Sequence, residues 1–476
     1  MSVPFADKPM GVAAAGGQAL QVLASGSPRG ADFRSADGRV VVQDPNTGFF
    51  RIAEPDAGAT RPATGASRAA LALAKPRWQD RRDQHRAHLL QQVKSGGATR
   101  APPRRPTLGD YTGLCLLIDF PDAPAQISRE EVDAFCNQPG YSGFGNHGSV
   151  QDYFLDVSNG SLRYRTVVAP YYTARQDSSH YGDTGVAYPV RARELINEAL
   201  ACHVQAGFDF SGLTADPQQA VYATNVLYAG PPAAVWGQGL WPHASRLDLP
   251  VRLAAGRAAM DYQITSIGDR LSLGVYCHEN GHMLCDFPDL YQYADQRIGV
   301  GRYCLMCLGA NPDPGQPTQV GAYLRCRAGW GQATPLTADR HRLPPASSNR
   351  FLLHQRSDTE YFILENRRQT GRDAMLPGSG LAIWHIDELG SNARPLDAPE
   401  GHQHAECVLL QADGADDLGR GNGDGDSRDL FGPDPGPVFV DGTPLAARWW
   451  DGSPAGLQIH SLEADGDDLL FVAELG

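Results

Sequence analysis

Residues 271–291 read LSLGVYCHENGHMLCDFPDLY and carry the strongest pattern in the sequence. Apolar residues recur at intervals of three and four positions from Leu271 to Leu284, which is typical of a buried helix. The proline at position 288 cannot continue a helix, so the chain is predicted to turn back there. The stretch therefore predicts a buried helix that Pro288 stops.

The predicted helix contains the pattern His-Glu-x-x-His at positions 278–282. Side chains four residues apart project from one face of a helix, so His278 and His282 can bind one zinc ion. Glu279 lies beside them, where it can accept a proton from an attacking water. A helix with surface histidines is the alternative, but unpaired polar groups would be costly on such an apolar helix. The pattern predicts a zinc-dependent hydrolytic site.

A zinc site of this kind needs a third protein ligand, from a segment that returns under the helix. Asp289 directly follows Pro288, and we predict that it is this ligand. Asp286 is less suitable, because it would extend the same helical rod instead of closing the site from another side. His243 and His385 stay open as ligands that long-range folding could bring in.

The segment 301–306, GRYCLM, follows the predicted site. Met306 could lie in a turn beneath the histidines, as the methionine of a Met-turn does, or could be an ordinary core residue. Tyr291, Tyr293 and Tyr303 are candidates to stabilise an oxyanion. Each of these tyrosines could equally be a packed aromatic, and the sequence does not choose among them.

The acidic, glycine-rich stretch 414–431 is a second candidate metal site. Carboxylate and amide oxygens are the ligands that Ca²⁺ prefers. The spacing does not match an EF-hand, and a solvated loop is the alternative. The candidate calcium ligands are Asp416, Asp417, Asn422, Asp424, Asp426 and Asp429.

The chain has 476 residues, of which 42% are hydrophobic, and a net charge of −13. This length predicts about three domains. The negative charge repels nucleic acid and anionic membranes, which excludes both as expected partners. No run approaches the roughly 18 consecutive apolar residues of a membrane-spanning helix, so no transmembrane segment is predicted.

The N-terminal residues 1–105 differ in charge from the rest of the chain. They hold 16 Lys and Arg against 8 Asp and Glu, whereas the remainder holds 25 against 46. Such a basic segment is either a solvated face or a segment that docks on the acidic body. Its pattern predicts a hairpin at 39–53 and a helix at 77–93. Residues 95–105 contain Gly and Pro and predict an exposed linker.

Residues 106–335 are predicted to form a compact second domain. It begins with a buried strand at 113–120, continues with helices at 128–135 and 188–204, and has a strand at 260–267 before the motif helix. From residue 350 onward, short strands alternate with turns. Residues 336–476 are therefore predicted to form an all-β, sandwich-like domain.

The chain has nine cysteines, and five of them (Cys277, Cys285, Cys304, Cys307 and Cys326) fall within fifty residues. Clustering of this kind favours disulfide bonds in an exported protein, although no convincing signal peptide is evident. We predict that Cys285 pairs with Cys304, with Cys326 as another partner. A cytosolic peptidase with reduced thiols is the alternative.

Several stretches resemble the immune inhibitor A-like zinc metallopeptidases in the same order along the chain. They are LLIDFPD (116–122), SVQDYFLDVSNGSL (149–162), GLWPH (239–243), HENGHMLCDFPDLY (278–291), GRYCLM (301–306), AYLRCRAGW (322–330), YFILENR (361–367) and GLAIWHIDE (380–388). The resemblance covers most of residues 110–475. The basic N-terminus is similar to the pro-segment of that family, mainly through DGRVVVQDPNTGFF (37–50).

The resemblance implies an α+β protein with three parts. These are an N-terminal pro-segment, a zincin or metzincin-like catalytic domain, and a β-rich C-terminal domain. It further implies a secreted zinc endopeptidase that is made as a latent precursor and acts on protein or peptide substrates. Many relatives have a Gly shortly after the second His and a shorter run to the Asp, whereas Cys285 and Asp286 stand here. A secreted binding protein on an inactive zincin scaffold is the alternative.

Overall fold

The computed structural model describes residues 5–13, 19–27, 30–35, 39–43, 50–52, 76–95, 106–183, 185–186, 189–230, 239–240, 243–291, 298–433, 437–439 and 447–476. The chain divides into two compact units. The first unit comprises Met1–Asp80, Tyr111–Gln151 and Tyr164–Leu284. The second comprises Arg81–Asp110, Asp152–Arg163 and Cys285–Gly476.

An antiparallel sheet lies in the N-terminal part of the first unit. Its strands, in spatial order, are β1 (Phe5–Ala13), β2 (Ala19–Ser27), β3 (Gly30–Ser35), β4 (Val40–Gln43) and β5 (Phe50–Ile52). Strands β4 and β5 pair antiparallel with Val41 opposite Ile52, so the hairpin predicted at 39–53 is confirmed in its strands. Its turn at 44–49 lies outside the described residues.

A mixed sheet forms the centre of the first unit. Its strands are β6 (Gly109–Asp119), β7 (Leu162–Thr173), β8 (Thr224–Tyr228), β9 (His243–Arg252) and β10 (Ala258–Ser266), in the order β7-β6-β8-β10-β9. Strands β6, β8 and β10 run parallel, and β9 pairs antiparallel with β10. Residues 114–118 of β6 are fully buried, as their continuous apolar run predicts.

Three helices of this unit begin within two residues of the positions that the sequence pattern predicts. They are α2 (Arg129–Asn137), α5 (Val190–Gln205) and α6 (Leu273–Cys285). A further short helix, α4 (Ser178–Tyr181), was not predicted. The hydroxyl of Ser128 accepts a hydrogen bond from the amide of Glu131, which confirms the predicted cap. The apolar face of α5, including Leu195 and Ile196, belongs to the same core as Leu116 and Val226 of the sheet.

Two sheets dominate the second unit. One contains β11 (Gln332–Pro335), β13 (Arg350–Gln355), β14 (Glu360–Arg367), β15 (Gly380–Asp387) and β16 (Cys407–Leu410) in that order. The other contains β12 (Arg340–Leu343), β19 (Asp468–Leu475), β18 (Leu457–Asp465) and β17 (Pro437–Phe439). Phe362 and Ile383 of the first sheet share one apolar core with Ile459 and Phe471 of the second. The two sheets therefore bury their inner faces together.

Few helices accompany these sheets. Helix α1 (Arg77–Lys94) begins with four residues of the first unit and continues in the second. Helix α3 (Val150–Val157) likewise has its first two residues in the first unit and the others in the second. The second unit also contains α7 (Ala322–Arg327) and α8 (Asp417–Arg420). The mixed content agrees with an α+β protein in general. Among the described residues, no helix is long and apolar enough to cross a membrane.

The prediction of disulfide bonds is wrong. All nine cysteines lie in the described part of the chain, and none of them forms a disulfide bond. Cys304 does not pair with Cys285 or Cys326; its sulfur accepts a hydrogen bond from the amide of Gly321 at 3.3 Å. Burial raises the pKa of the Cys304 thiol to about 11. The cysteine cluster therefore no longer argues for export, and a secreted location stays a prediction.

Candidate metal centre

Helix α6, which carries the motif, is buried along almost its whole length. A polar contact inside the motif ties it to the central sheet of its unit. The amide of Asn280 donates to Asn225 on β8 at 2.8 Å and accepts a hydrogen bond from the hydroxyl of Tyr164 on β7 at 2.7 Å. Gln263 on β10 donates to the same Asn225 at 3.0 Å. Because these groups are buried and mutually satisfied, they fix the rotation of the helix about its axis.

The sequence analysis missed this polar network. It assigned no role to Asn280, although a buried amide at a variable position of the motif demands partners. The partners come from strands that lie 55 and 116 residues away along the chain. Only an unusual polar residue inside a buried strand, such as Asn225, could have signalled the network in advance.

The two histidines of the motif converge as the helical spacing predicts. The Nε2 atoms of His278 and His282 are 3.1 Å apart. A carboxylate oxygen of Glu279 and one nitrogen of each histidine all lie within 4.8 Å of one another. The exposed fraction of each of the three side chains is 2% or less. Three groups that could bind a metal ion thus face one small volume inside the first unit.

The donor set fits a zinc ion. Nitrogens bound to zinc at about 2.05 Å are about 3.3 Å apart at a tetrahedral angle, close to the separation of the two Nε2 atoms. Two imidazoles are ligands that Zn²⁺ accepts readily, and a neighbouring carboxylate can act on water or serve as a further ligand. His278 and His282 are therefore the residues that would hold the ion.

The predicted third ligand, Asp289, is 3% exposed and belongs to the second unit. The next residue, Leu290, donates its amide to the carbonyl of Met306 at 2.8 Å, so the two segments are tied together within that unit. The cluster of described residues around His278 does not include Asp289. Its assignment as the third ligand stays a prediction, and so does a Met-turn beneath the histidines.

The other residues considered as third ligands have partners of their own. The carboxylate of Asp286 accepts hydrogen bonds from Nε of Arg81 at 2.9 and 3.0 Å. His243 lies 3.0 Å from the hydroxyl of Tyr262, and His385 lies 3.3 Å from a carboxylate oxygen of Glu360 on the neighbouring strand β14. Among the described residues, none of these three belongs to the cluster around His278 either.

The end of helix α6 differs from the prediction in its cause. The helix continues to Cys285 and ends because Asp286 adopts a left-handed backbone conformation with φ of 55°. A glycine usually occupies such a position, and aspartate is among the few other residues that tolerate it. The turn therefore begins at Asp286, two residues before Pro288.

Tryptophan 78, at the start of helix α1, covers one of the motif histidines within the first unit. Its ring stacks on the ring of His282 with centroids 4.4 Å apart and an interplanar angle of 10°. The Trp78 side chain is 1% exposed. The preceding Arg77 forms an ion pair with Asp216, and its amide donates to Asp261 at 3.1 Å. The first turn of α1 is thus anchored against the candidate metal centre.

The rest of helix α1 makes charged contacts within the second unit. Arg81 binds the carboxylate of Asp286, and Arg82 and Arg86 both bind Glu406. Burial opposes ionisation of Glu406, but the nearby arginines, Arg82 first, hold its pKa below the ordinary value. These contacts agree with a basic N-terminal segment that docks on acidic groups, the sharper of the two interpretations of its charge.

The three tyrosines considered for stabilising an oxyanion differ in what the structure shows of them. The hydroxyl of Tyr303 donates within the second unit to the carbonyl of Asp426 at 2.8 Å and lies 3.0 Å from the carboxylate of Asp429. Burial and that carboxylate raise its pKa. Tyr291 is 4% exposed, and Tyr293 lies outside the described residues. Tyr303 is therefore occupied by a structural contact.

The candidate calcium ligands do not all converge. Asp417 and Asp426 offer oxygens within 4.8 Å of each other and of Asp413, which the sequence analysis missed. The remaining candidates have other contacts: Asp416 pairs with Arg420, Asp424 with Arg302, Asn422 contacts Asp417, and the buried Asp429 contacts Gln411 and Tyr303. Calcium binding stays a prediction, and these three aspartates are its best-placed ligands.

Comparison with known proteins adds no assignment. No protein-family model matches the chain, and no curated protein matches its sequence.

Proposed function

We propose that this protein is a zinc-dependent endopeptidase that is made in a latent form. The observation that carries the proposal is the buried cluster of His278, Glu279 and His282, whose two imidazole nitrogens are 3.1 Å apart. Two imidazole nitrogens and a carboxylate oxygen that converge in a buried volume form a donor set that Zn²⁺ accepts. The resemblance to the immune inhibitor A-like peptidases supports the same reaction.

The residues of the cluster have distinct roles in the proposed reaction. His278 and His282 would hold the zinc ion, with Asp289 as the predicted third ligand. A bound Zn²⁺ supplies Lewis acidity, which polarises a peptide carbonyl and makes water easier to deprotonate near neutral pH. Glu279 accepts a proton from the attacking water as the new carbon–oxygen bond forms. It then delivers that proton to the amine nitrogen as the peptide bond breaks.

Latency is supported by the contacts of helix α1. Trp78 stacks on His282, so the side chain of one proposed zinc ligand is covered on one face. The first 105 residues contain no cysteine, which excludes inhibition by a zinc-binding cysteine of this segment. Steric cover by α1 is therefore the form of latency that we propose. Residues 96–105 of the predicted linker, which spans 95–105, lie outside the described part of the chain.

The test measures zinc content and casein hydrolysis before and after limited trypsin treatment. We expect the treated protein to hydrolyse casein, to lose activity with a chelator, and to recover it with zinc. Glu279→Gln keeps the shape of the side chain but cannot accept the proton, and it should lower the rate by about 10²- to 10⁴-fold. Glu463→Gln, an exposed residue of β18, is the matched control and should leave the rate unchanged.

Zinc bound without chelator-sensitive hydrolysis would contradict the proposal and favour a binding protein on an inactive scaffold. The third ligand is tested by the same metal analysis. Asp289→Ala should lose zinc, whereas Asp286→Ala should retain it.

A further inference from the structure

A second group of metal-binding side chains lies in the second unit, away from the motif in sequence. Asp387 is the last residue of strand β15, and His402 and His404 lie in the loop before strand β16. One carboxylate oxygen of Asp387, Oδ2, lies 2.7 Å from Nδ1 of His402 and 2.6 Å from Nε2 of His404. Three potential ligand atoms therefore meet at one point.

The surrounding contacts fix the carboxylate for this role. The other oxygen of Asp387, Oδ1, accepts a hydrogen bond from the amide of Leu389 at 2.9 Å. This bond orients the carboxylate and directs Oδ2 at the two imidazoles. Hydrogen bonds of this kind from outside the ligand set hold ligands in place at metal sites. Asp387 itself is 2% exposed.

The histidine loop is also held in place. The ring of His404 stacks on Trp450 with centroids 4.0 Å apart and an interplanar angle of 12°. The amide of Ser391 donates to the carbonyl of His404 at 2.9 Å, and the amide of Asp387 donates to the carbonyl of Glu406 at the same distance. The loop is thereby closed against the end of β15. The three ligands come from a rigid arrangement that needs no large rearrangement to bind an ion.

The cluster is open to solvent on its histidine side. The side chains of His402 and His404 are 25% and 16% exposed, so an ion can enter from water. Ligands bound at about 2.1 Å are about 3.3 Å apart at a tetrahedral angle, so each imidazole would move back from Oδ2 by about 0.6 Å. The exposed loop that carries the histidines can supply so small a shift.

We propose that Asp387, His402 and His404 form a second metal site, for a borderline divalent transition-metal ion of the Zn²⁺ or Co²⁺ type. Two imidazoles and one carboxylate form the donor set that these ions accept, whereas Ca²⁺ and Mg²⁺ prefer oxygen ligands alone. Three protein ligands leave a fourth position for water or an external group. The proposal does not depend on the proposed peptidase activity.

The sequence carries a weak signal for this site. His402-Gln403-His404 is a His-x-His pair, and in an extended segment both side chains lie on one face. The aspartate lies 15 residues before the first histidine, in a strand whose pattern is that of an ordinary buried strand. The site is recognised only in the fold, where the end of strand β15 contacts the loop that carries His402 and His404.

The experiment counts metal ions in the full-length chain. Purified protein is stripped with a chelator, reconstituted with Zn²⁺ or Co²⁺, dialysed and analysed for bound metal. Four proteins are compared: wild type, His278→Ala with His282→Ala, His402→Gln with His404→Gln, and all four substitutions together. We expect about two ions in the wild type, about one in each double variant and none in the fourfold variant. The double variant of the motif should retain the visible absorption of Co²⁺ bound at Asp387.

Glutamine is chosen at 402 and 404 because its amide can still donate a hydrogen bond to Asp387 but is a poor ligand for these ions. Thermal melts of the metal-free proteins verify that the variants fold. His341→Ala with His460→Ala, two histidines outside the cluster, is the matched control and should keep both ions. The proposal is overturned if the His278→Ala, His282→Ala variant binds no ion, which would leave the cluster as a hydrogen-bonded support.

The two proposals fail in distinguishable ways. If the wild type binds zinc but does not hydrolyse peptides, the proposed peptidase is contradicted and the second site is unaffected. If the His402→Gln, His404→Gln variant binds as many ions as the wild type, the second site is contradicted and the proposed peptidase is unaffected.

Discussion

Replacement of Trp78 by alanine tests whether helix α1 keeps the protein latent. The ring is 1% exposed and stacks on His282, so its removal deletes the main apolar contact of the first turn of α1 in the first unit. Truncation of a buried tryptophan to alanine costs about 3 to 5 kcal/mol. Each 1.4 kcal/mol is a factor of about ten, so the docked state of this turn should weaken by about two to three and a half orders of magnitude.

The ion pair of Arg77 with Asp216 remains in the variant, but it does not replace the lost contact. The net contribution of this mostly buried pair is reduced by the cost of taking both charges out of water. The uncleaved Trp78→Ala chain should therefore hydrolyse casein measurably, whereas the uncleaved wild type should not. Trp78→Phe keeps an aromatic ring on His282 and should release less activity.

Two measurements accompany the casein assay. Hydrogen exchange of residues 273–285 reports whether the motif helix becomes less protected, independently of catalysis. The double variant Trp78→Ala, Glu279→Gln separates released activity from a contaminating protease and should be inactive. If intact Trp78→Ala folds, binds zinc and stays as inactive as the intact wild type, while trypsin treatment activates both, then Trp78 does not maintain latency.

Three further outcomes are expected. Brief trypsin treatment should cleave within residues 96–105 first, and early cleavage inside 110–330 would contradict an exposed linker; peptide mapping by mass spectrometry decides. In denaturant without reductant, iodoacetamide should modify all nine cysteines. In the folded protein it should spare Cys136 and Cys304, because burial raises the pKa values of their thiols to about 12 and 11. Detection of any disulfide-linked peptide would contradict the absence of disulfide bonds. Burial lowers the pKa of His203 below its ordinary value of about 6.5, so the unfolded state binds the proton more readily than the folded state. The wild type should therefore lose stability as the pH falls below about 6.5. The difference in melting temperature between the wild type and His203→Gln should accordingly shrink as the pH is lowered from about 8 to about 5.5.

Local features of the protein could be predicted from its sequence. The helix at 273–285 and the cap at Ser128 depend on side chains three or four residues apart, which helical geometry places together in any fold. The approach of His278 to His282 depends on the same geometry. The strands after residue 350 were also predictable, because alternating apolar patterns and turns are local signals.

Contacts between distant segments were not predictable in this way. Clustering along the sequence predicted a bond between Cys285 and Cys304, but a disulfide requires the two backbones to approach with the correct geometry, which spacing does not specify. The stacking of Trp78 on His282 joins residues more than two hundred positions apart. The sequence around Trp78 predicts only an amphipathic helix and does not indicate this contact.

The sequence by itself determined the helix, the His-Glu-x-x-His cluster and the basic character of the N-terminal segment, because each depends on residue type and short-range spacing. Only the tertiary structure decided that Trp78 covers His282, that Asp286 is held by Arg81, and that the cysteines form no disulfide bond. It also decided that Asp387 meets the two histidines of the 402–404 loop. Such contacts depend on how strands and helices pack, and packing is set by the summed burial of many residues rather than by any local pattern.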